Sequence, residues 1–282
     1  MGNNEMQWSS ATPGLLIIMV DQSGSMTLDY ADGDSRSEFA AKAVNRVINT
    51  LIQKNFDGKA PKNRCYVAVI GYDIEVKKLV SGYLSDLEKS PIRIANVKKK
   101  VPDGEGGFVE NVVKMPIWIE PIYEDKLTNM MGAFEMAKEI VSQWIKDKTN
   151  NPAPVIINIT DGLPFDGRSE WEECVAECMQ ETIDIVKQIK AMRTDDGNVQ
   201  IFNAMIGDGE SVIFPKNQSQ LSSVEAQFLY EISTEIPEAY KSAAEKNELK
   251  FEMGARGAIY NADAEHLVKL IDFGSSKGQG DK

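Results

Sequence analysis

Along the chain, short apolar runs alternate with longer segments whose apolar residues recur at helical spacing. Leu15-Leu16-Ile17-Ile18-Met19-Val20 is an unbroken apolar run closed by Asp21. It reads as a central strand buried on both faces. Between Ser37 and Gln53, Phe39, Ala40, Ala43, Val44, Val47, Ile48 and Leu51 fall on one stripe and predict a helix. Cys65 to Tyr72 and Val76 to Val80 read as strands, with Asp73-Ile74 as the hairpin turn between them. Asn129 to Lys146 follows as a helix, Val155 to Thr160 as a strand, and Ser169 to Met192 as a long helix that Ser169 and the glutamates after it would cap. Val199 to Ile206 is a further strand, and helical pattern returns over Ser222 to Thr234 and Ala262 to Phe273.

Residues 92–121 break the rhythm. Lys98-Lys99-Lys100 precedes the turn formers Pro102-Asp103-Gly104-Glu105-Gly106-Gly107, and a second β-prone stretch follows. This predicts a β-hairpin that leaves the main sheet. The glycine cluster lacks the Gly-Lys-Ser/Thr ending of a phosphate-binding loop. Strands alternating with helices imply right-handed crossovers. The expected fold is α/β: an open, mostly parallel, doubly wound sheet with helices on both faces. One domain over 14–273 is expected, with an N-terminal lead over 1–13 and a flexible tail over 274–282.

Composition narrows the partners. Asp and Glu number 43 against 31 Lys and Arg, a net charge of −12, which disfavours nucleic acid and anionic membrane. The longest apolar run is too short to span a bilayer, and no signal peptide precedes it. Cys65, Cys174 and Cys178 read as buried, reduced thiols, so a cytoplasmic location is expected. Asn158-Ile159-Thr160 has the form of a glycosylation acceptor but falls on a strand expected to be buried.

Candidate chemistry gathers where strands end. In an open parallel sheet, ligands bind beyond the carboxyl ends of the strands. Three such places hold small oxygen-bearing residues: Asp21-Gln22-Ser23-Gly24-Ser25, Lys126-Leu127-Thr128-Asn129 and Thr160-Asp161-Gly162. Two carboxylates and three hydroxyls suit a hard divalent cation. Alternation at 21, 23 and 25 turns three oxygens toward one point. The competing reading of the first loop is a helix-capping turn. Asp29, Asp32, Asp34, Asp73 and Asp166 are read as a solvated acidic rim, and His266 as a surface or packing residue.

Asp-x-Ser-Gly-Ser after a buried first strand, a Thr before a helix, and Asp-Gly after a later strand resemble the von Willebrand factor A (vWA) family and its metal-ion-dependent adhesion site. The resemblance spans Gly14 to Phe273. It implies that Ser23 and Ser25 ligate Mg²⁺ (or Mn²⁺ or Ca²⁺) and that Thr128 does so directly or through water. Asp21 and Asp161 would accept from metal-bound waters or ligate directly, and a Glu or Asp of a bound protein would complete the shell. The run from Ile159 to Asp166 also resembles bacterial vWA proteins of tellurite-resistance-type clusters. Many members place two glycines before the metal-site Thr, where this chain has Lys126-Leu127. The implied function is a non-enzymatic protein-binding adaptor, with an AAA+ ATPase of the MoxR or chelatase kind as one class of partner. The alternative, an enzyme of Mg²⁺-assisted phosphoryl transfer, lacks a second carboxylate two residues after Asp21, where Ser23 stands.

Overall fold

A computed structural model describes residues 3–30, 33–102, 108–124 and 126–278. Asp32, Asp103 and the glycine cluster 104–107 lie outside these. The expected central strand is β1 (Gly14–Asp21), and every residue in it is buried. Its pleat divides the core. Leu16, Ile18 and Val20 join one apolar cluster, while Leu15, Ile17 and Met19 join the other. A strand with two dry faces needs cover on both, and the remaining elements supply it.

β2 (Cys65–Tyr72) lies parallel to β1, and β3 (Val76–Tyr83) turns back antiparallel on β2, running further than the sequence suggested. The turn between them is closed by Asp73 Oδ1, which accepts from Glu75 N at 2.7 Å. β4 (Arg93–Pro102) and β5 (Phe108–Ile117) form the separate two-stranded hairpin expected over 92–121. Its root is fixed by Asn45, whose amide bonds the backbone of Trp118 and Ile119, and by Trp118 Nε1 donating to Leu87 O. β6 (Val155–Thr160) and β7 (Gln200–Met205) continue the parallel sheet on the other side of β1. Two short strands, β8 (Val212–Ile213) and β9 (Ala258–Tyr260), complete the order β3-β2-β1-β6-β7-β9-β8.

Helix α1 (Arg36–Lys54) starts at a capping box, with Ser35 Oγ accepting from Glu38 N and Glu38 accepting from Ser35 N. It shares the face of Leu16 with the single turn α2 (Leu84–Leu87), with α6 (Lys241–Lys246) and with α7 (Ala264–Gly274). Helices α3 (Met130–Asp147), α4 (Trp171–Ala191) and α5 (Val224–Ile232) cover the other face. The cap expected from Ser169 does not form. Helix α4 begins after Glu170, with no side-chain cap, and Ser169 Oγ is buried without a hydrogen-bond partner among the described residues.

The described residues near both termini are drawn into this frame. Trp8 is buried and its backbone N–H donates to Lys277 O, while Asn4 Nδ2 donates to Asn198 O. In the segment expected to be flexible, Ser275 and Lys277 are buried, and the Lys277 ammonium reaches Asn4 O and lies 3.8 Å from Asp196. Among the described residues, no helix is long and apolar enough to cross a membrane.

Beneath the carboxyl edge a polar chain crosses the sheet. Tyr72 Oη donates to Asn158 Oδ1 at 2.8 Å, Asn158 Nδ2 to Asn203 Oδ1 at 3.0 Å, and Asn203 Nδ2 to Ser233 Oγ at 2.8 Å. Asn158 is fully buried, as its place on a central strand required, so the Asn-Ile-Thr sequence offers no accessible acceptor. Asn158→Leu removes the partner of the Tyr72 hydroxyl and of Asn203 Oδ1 together. Urea unfolding should show a loss of about 2–4 kcal/mol, and a loss below about 1 kcal/mol would mean the chain is not coupled as described.

Candidate metal centre

β1 and β6 are neighbours in register from Leu16↔Val155 to Val20↔Ile159, so their ends place Asp21 and Thr160-Asp161 side by side. Asp21 is buried, and each of its oxygens is engaged. Oδ1 accepts from Ser23 N at 2.9 Å, and Oδ2 accepts from Thr160 Oγ1 at 2.6 Å. The carboxylate therefore shapes the loop that follows it and ties that loop to β6.

Ser23 precedes the one-turn helix Gly24–Thr27 but makes no capping hydrogen bond. Its hydroxyl instead lies 3.2 Å from Ser25 Oγ, and Ser25 Oγ donates to Asp161 Oδ1 at 2.8 Å. The capping-turn reading fails for this residue, because the side chain faces its neighbours rather than the helix amides. The loop is pinned from the other side by Gly24 N, which donates to Lys126 O at 2.7 Å.

Thr128 is placed by three contacts. Its backbone pairs with Phe165 in both directions, N to O at 2.7 Å and O to N at 3.0 Å, and the next amide, Asn129 N, donates to Asp73 O. Lys126 and Leu127 brace this loop. Lys126 Nζ pairs with Asp73 at 3.0 Å and with Glu124 at 2.8 Å. Leu127 fills the space beside Gly167, where an ideal Cβ would sit 2.7 Å from Leu127 Cδ1 and the backbone holds φ at +76°. Glycine is needed at 167 on two counts, its positive φ and that close approach.

Ser23, Ser25, Thr128 and Asp161 line one open cleft of about 920 Å³, and Asp21 lies beneath it. All five residues expected at the site are thus brought to one end of the sheet, four at the cleft wall and one under its floor. The acidic rim is less coherent. Asp34 pairs with Lys42, Asp73 with Lys126 and Asp166 with Arg168, and none of these three aspartates lines the cleft.

Sequence reasoning missed Arg36, the first residue of α1. Its Nη1 donates to Asp161 Oδ2 at 2.7 Å, and its Nη2 lies 3.9 Å from the exposed Asp208. An arginine at a helix start reads as surface, and only its nearness to β6 shows its role. It leaves Asp161 Oδ1 turned to Ser25 and the cleft.

Burial pushes the Asp21 carboxyl up to about 7, and repulsion from Asp161 adds to the rise, against the hydrogen bonds from Thr160 and Ser23. An Asp whose folded value is raised holds its proton in the native state at pH values where the unfolded chain has released it. Without a bound cation, this group's contribution to stability is therefore greatest below about pH 4 and is lost as pH rises toward 7. Asp21→Asn keeps an acceptor for Ser23 N and removes the charge. In EDTA, its stability relative to the parent should increase from pH 5 to pH 8 by on the order of a few kcal/mol in urea unfolding. A difference independent of pH would contradict the assignment.

No family model matches the chain, and neither does any curated protein. The solved structures similar to it include vWA domains. One is the ArnB paralog VWA2 of Sulfolobus acidocaldarius, at 13% identity over 72% of this chain and 36% of that one, with a TM-score of 0.34. Another is the vWF domain of the type V pili tip protein Mfa5 of Porphyromonas gingivalis, at 19% identity over 54% of this chain and 39% of that one, with a TM-score of 0.30. The chain spans less than two thirds of the length of either. The conserved hypothetical protein BatB of Bacteroides thetaiotaomicron is similar over 93% of this chain and 99% of its own, at 14% identity and a TM-score of 0.44.

Proposed function

We propose that this chain is a metal-dependent protein-binding module that holds Mg²⁺ at the cleft and grips a carboxylate of its partner. The observation that carries the reading is the spacing of the oxygens. An octahedral ion with bonds of about 2.1 Å sets adjacent ligand oxygens about 3.0 Å apart. Ser23 Oγ and Ser25 Oγ are separated by 3.2 Å, and Ser25 Oγ and Asp161 Oδ1 by 2.8 Å. Ser23 and Ser25 would hold the ion directly, with Thr128 and Asp161 at the cleft wall and Asp21 below, keeping the loop in shape. When bound, the ion supplies a positive centre with a coordination position free for an acidic side chain.

Electrostatics supports the same reading. Asp21 and Asp161 bring two carboxylates to a buried place, and Arg36 offsets one of them. Beside the oxygens the cleft has an apolar shelf of Leu163, Phe165 and Trp171, with the two rings 4.4 Å apart and Trp171 exposed. A partner segment carrying an acidic residue next to an apolar one would fit the two halves of the cleft. Catalysis has less support: His266, the chain's single histidine, sits on α7 beside Asp263 and does not line the cleft.

Melting the protein with and without metal tests the reading. Mg²⁺ at ten times its dissociation constant should add about 1.4 kcal/mol of stability. Asp21→Ala should lose that gain, together with any EDTA-sensitive capture of a partner protein. A melting temperature indifferent to saturating Mg²⁺ and Mn²⁺ would overturn it.

A further inference from the structure

Helix α4 carries two thiols one turn apart that the cleft does not use. Cys174 and Cys178 are buried and free, with their sulfurs 3.9 Å apart. The loop leaving Asp161 folds back over the start of α4 and brings Asp166 Oδ1 within 3.3 Å of Cys174 Sγ. The three potential ligand atoms all lie within 4.8 Å of one another. Residue spacing concealed this group, because its oxygen comes from a loop on the near side of Gly167 and the turn there, not from the helix.

Two of the three separations match a known coordination figure, and the third is no more than 4.8 Å. Tetrahedral zinc, with Zn–S of about 2.3 Å and Zn–O of about 2.0 Å, sets two sulfurs about 3.8 Å apart and a sulfur about 3.5 Å from an oxygen. The separations of 3.9 Å and 3.3 Å each fall within about 0.2 Å of those edges. The surroundings are also suitable. Arg168 Nε donates to Asp166 Oδ2 at 2.8 Å and lies 3.0 Å from Oδ1, which orients the carboxylate, as partners of metal ligands do. Two thiolates and a carboxylate leave zinc with one excess negative charge, and the Arg168 guanidinium, 3.9 Å from Cys178 Sγ, offsets it. A second anion, Glu181, holds that guanidinium in place at 2.8 Å.

We propose that Asp166, Cys174 and Cys178 form a zinc site, with water at the fourth position. The site shares no ligand with the Mg²⁺ cleft and stands whether or not that cleft binds metal. It fastens the 161–168 loop to α4. Because Phe165 is both the neighbour of Asp166 and the backbone partner of Thr128, zinc also stiffens the mount on which Thr128 sits.

Cobalt is the probe. The reduced full-length protein is titrated with Co²⁺ in saturating Mg²⁺, which fills oxygen-only sites. The expected result is a thiolate-to-cobalt charge-transfer band in the near ultraviolet with tetrahedral visible bands, saturating at one equivalent and bleached by zinc. Asp21→Ala should keep the spectrum, which separates this site from the cleft. The double variant Cys174→Ser/Cys178→Ser should lose it. Asp166→Asn, on the partly exposed side of the cluster, should bind Co²⁺ at least about tenfold more weakly. A parent protein giving only weak octahedral bands would overturn the proposal, as would a thiolate band that survives the double variant. Unchanged affinity in Asp166→Asn would remove the carboxylate and with it the three-ligand site.

Discussion

Two carboxylates with almost no access to water stand at the ends of adjacent strands, and the cleft edge of this molecule is organised around keeping them there. Asp21 and Asp161 are brought together by the parallel pairing of β1 with β6. Burying like charges is costly unless each is satisfied by donors or a cation. Asp21 is met by Thr160 and the Ser23 amide, and Asp161 by Ser25 and Arg36. Every one of these donors belongs to a strand end, the loop just beyond it, or the start of α1. The carboxylates thus fix the loops as much as the loops fix the carboxylates.

The sheet beneath is fixed by its own pattern. β1 is apolar on both faces, so it cannot slip in register without carrying a whole row of side chains to the wrong core. The polar chain from Tyr72 through Asn158 and Asn203 to Ser233 spans four parallel strands, β2, β1, β6 and β7, below the cleft. A fully satisfied network of this kind specifies one packing arrangement rather than several. The loops above are pinned at Gly24, Thr128 and Asn129 by backbone hydrogen bonds.

Much of this was legible in the chain. The apolar run of β1 announced a central strand, and Ser35 with Glu38 announced the start of α1 only in retrospect, because the stripe of apolar residues was clearer than its cap. The three oxygen-bearing loops were visible because parallel strands must end on one edge. What escaped detection depended on contacts between distant segments. Arg36 has no local signature, the burial of Trp8 and Lys277 arises from the two chain ends meeting, and β8 and β9 are too short to show a period. Ser169 looked like a cap and is not one. Lys126 and Leu127 brace the Thr128 loop through the ion pair with Asp73 and the packing on Gly167, contacts that the sequence does not announce.

The account turns on whether the oxygens gathered by Asp21 and Asp161 hold one cation. An anomalous difference map from crystals grown with Mn²⁺ answers this most directly. The prediction is a single strong peak in the cleft, within bonding distance (about 2.2 Å) of both Ser23 Oγ and Ser25 Oγ, that disappears in Asp21→Ala crystals. A map with no peak there, or with manganese bound only at carboxylates elsewhere on the surface, would contradict it.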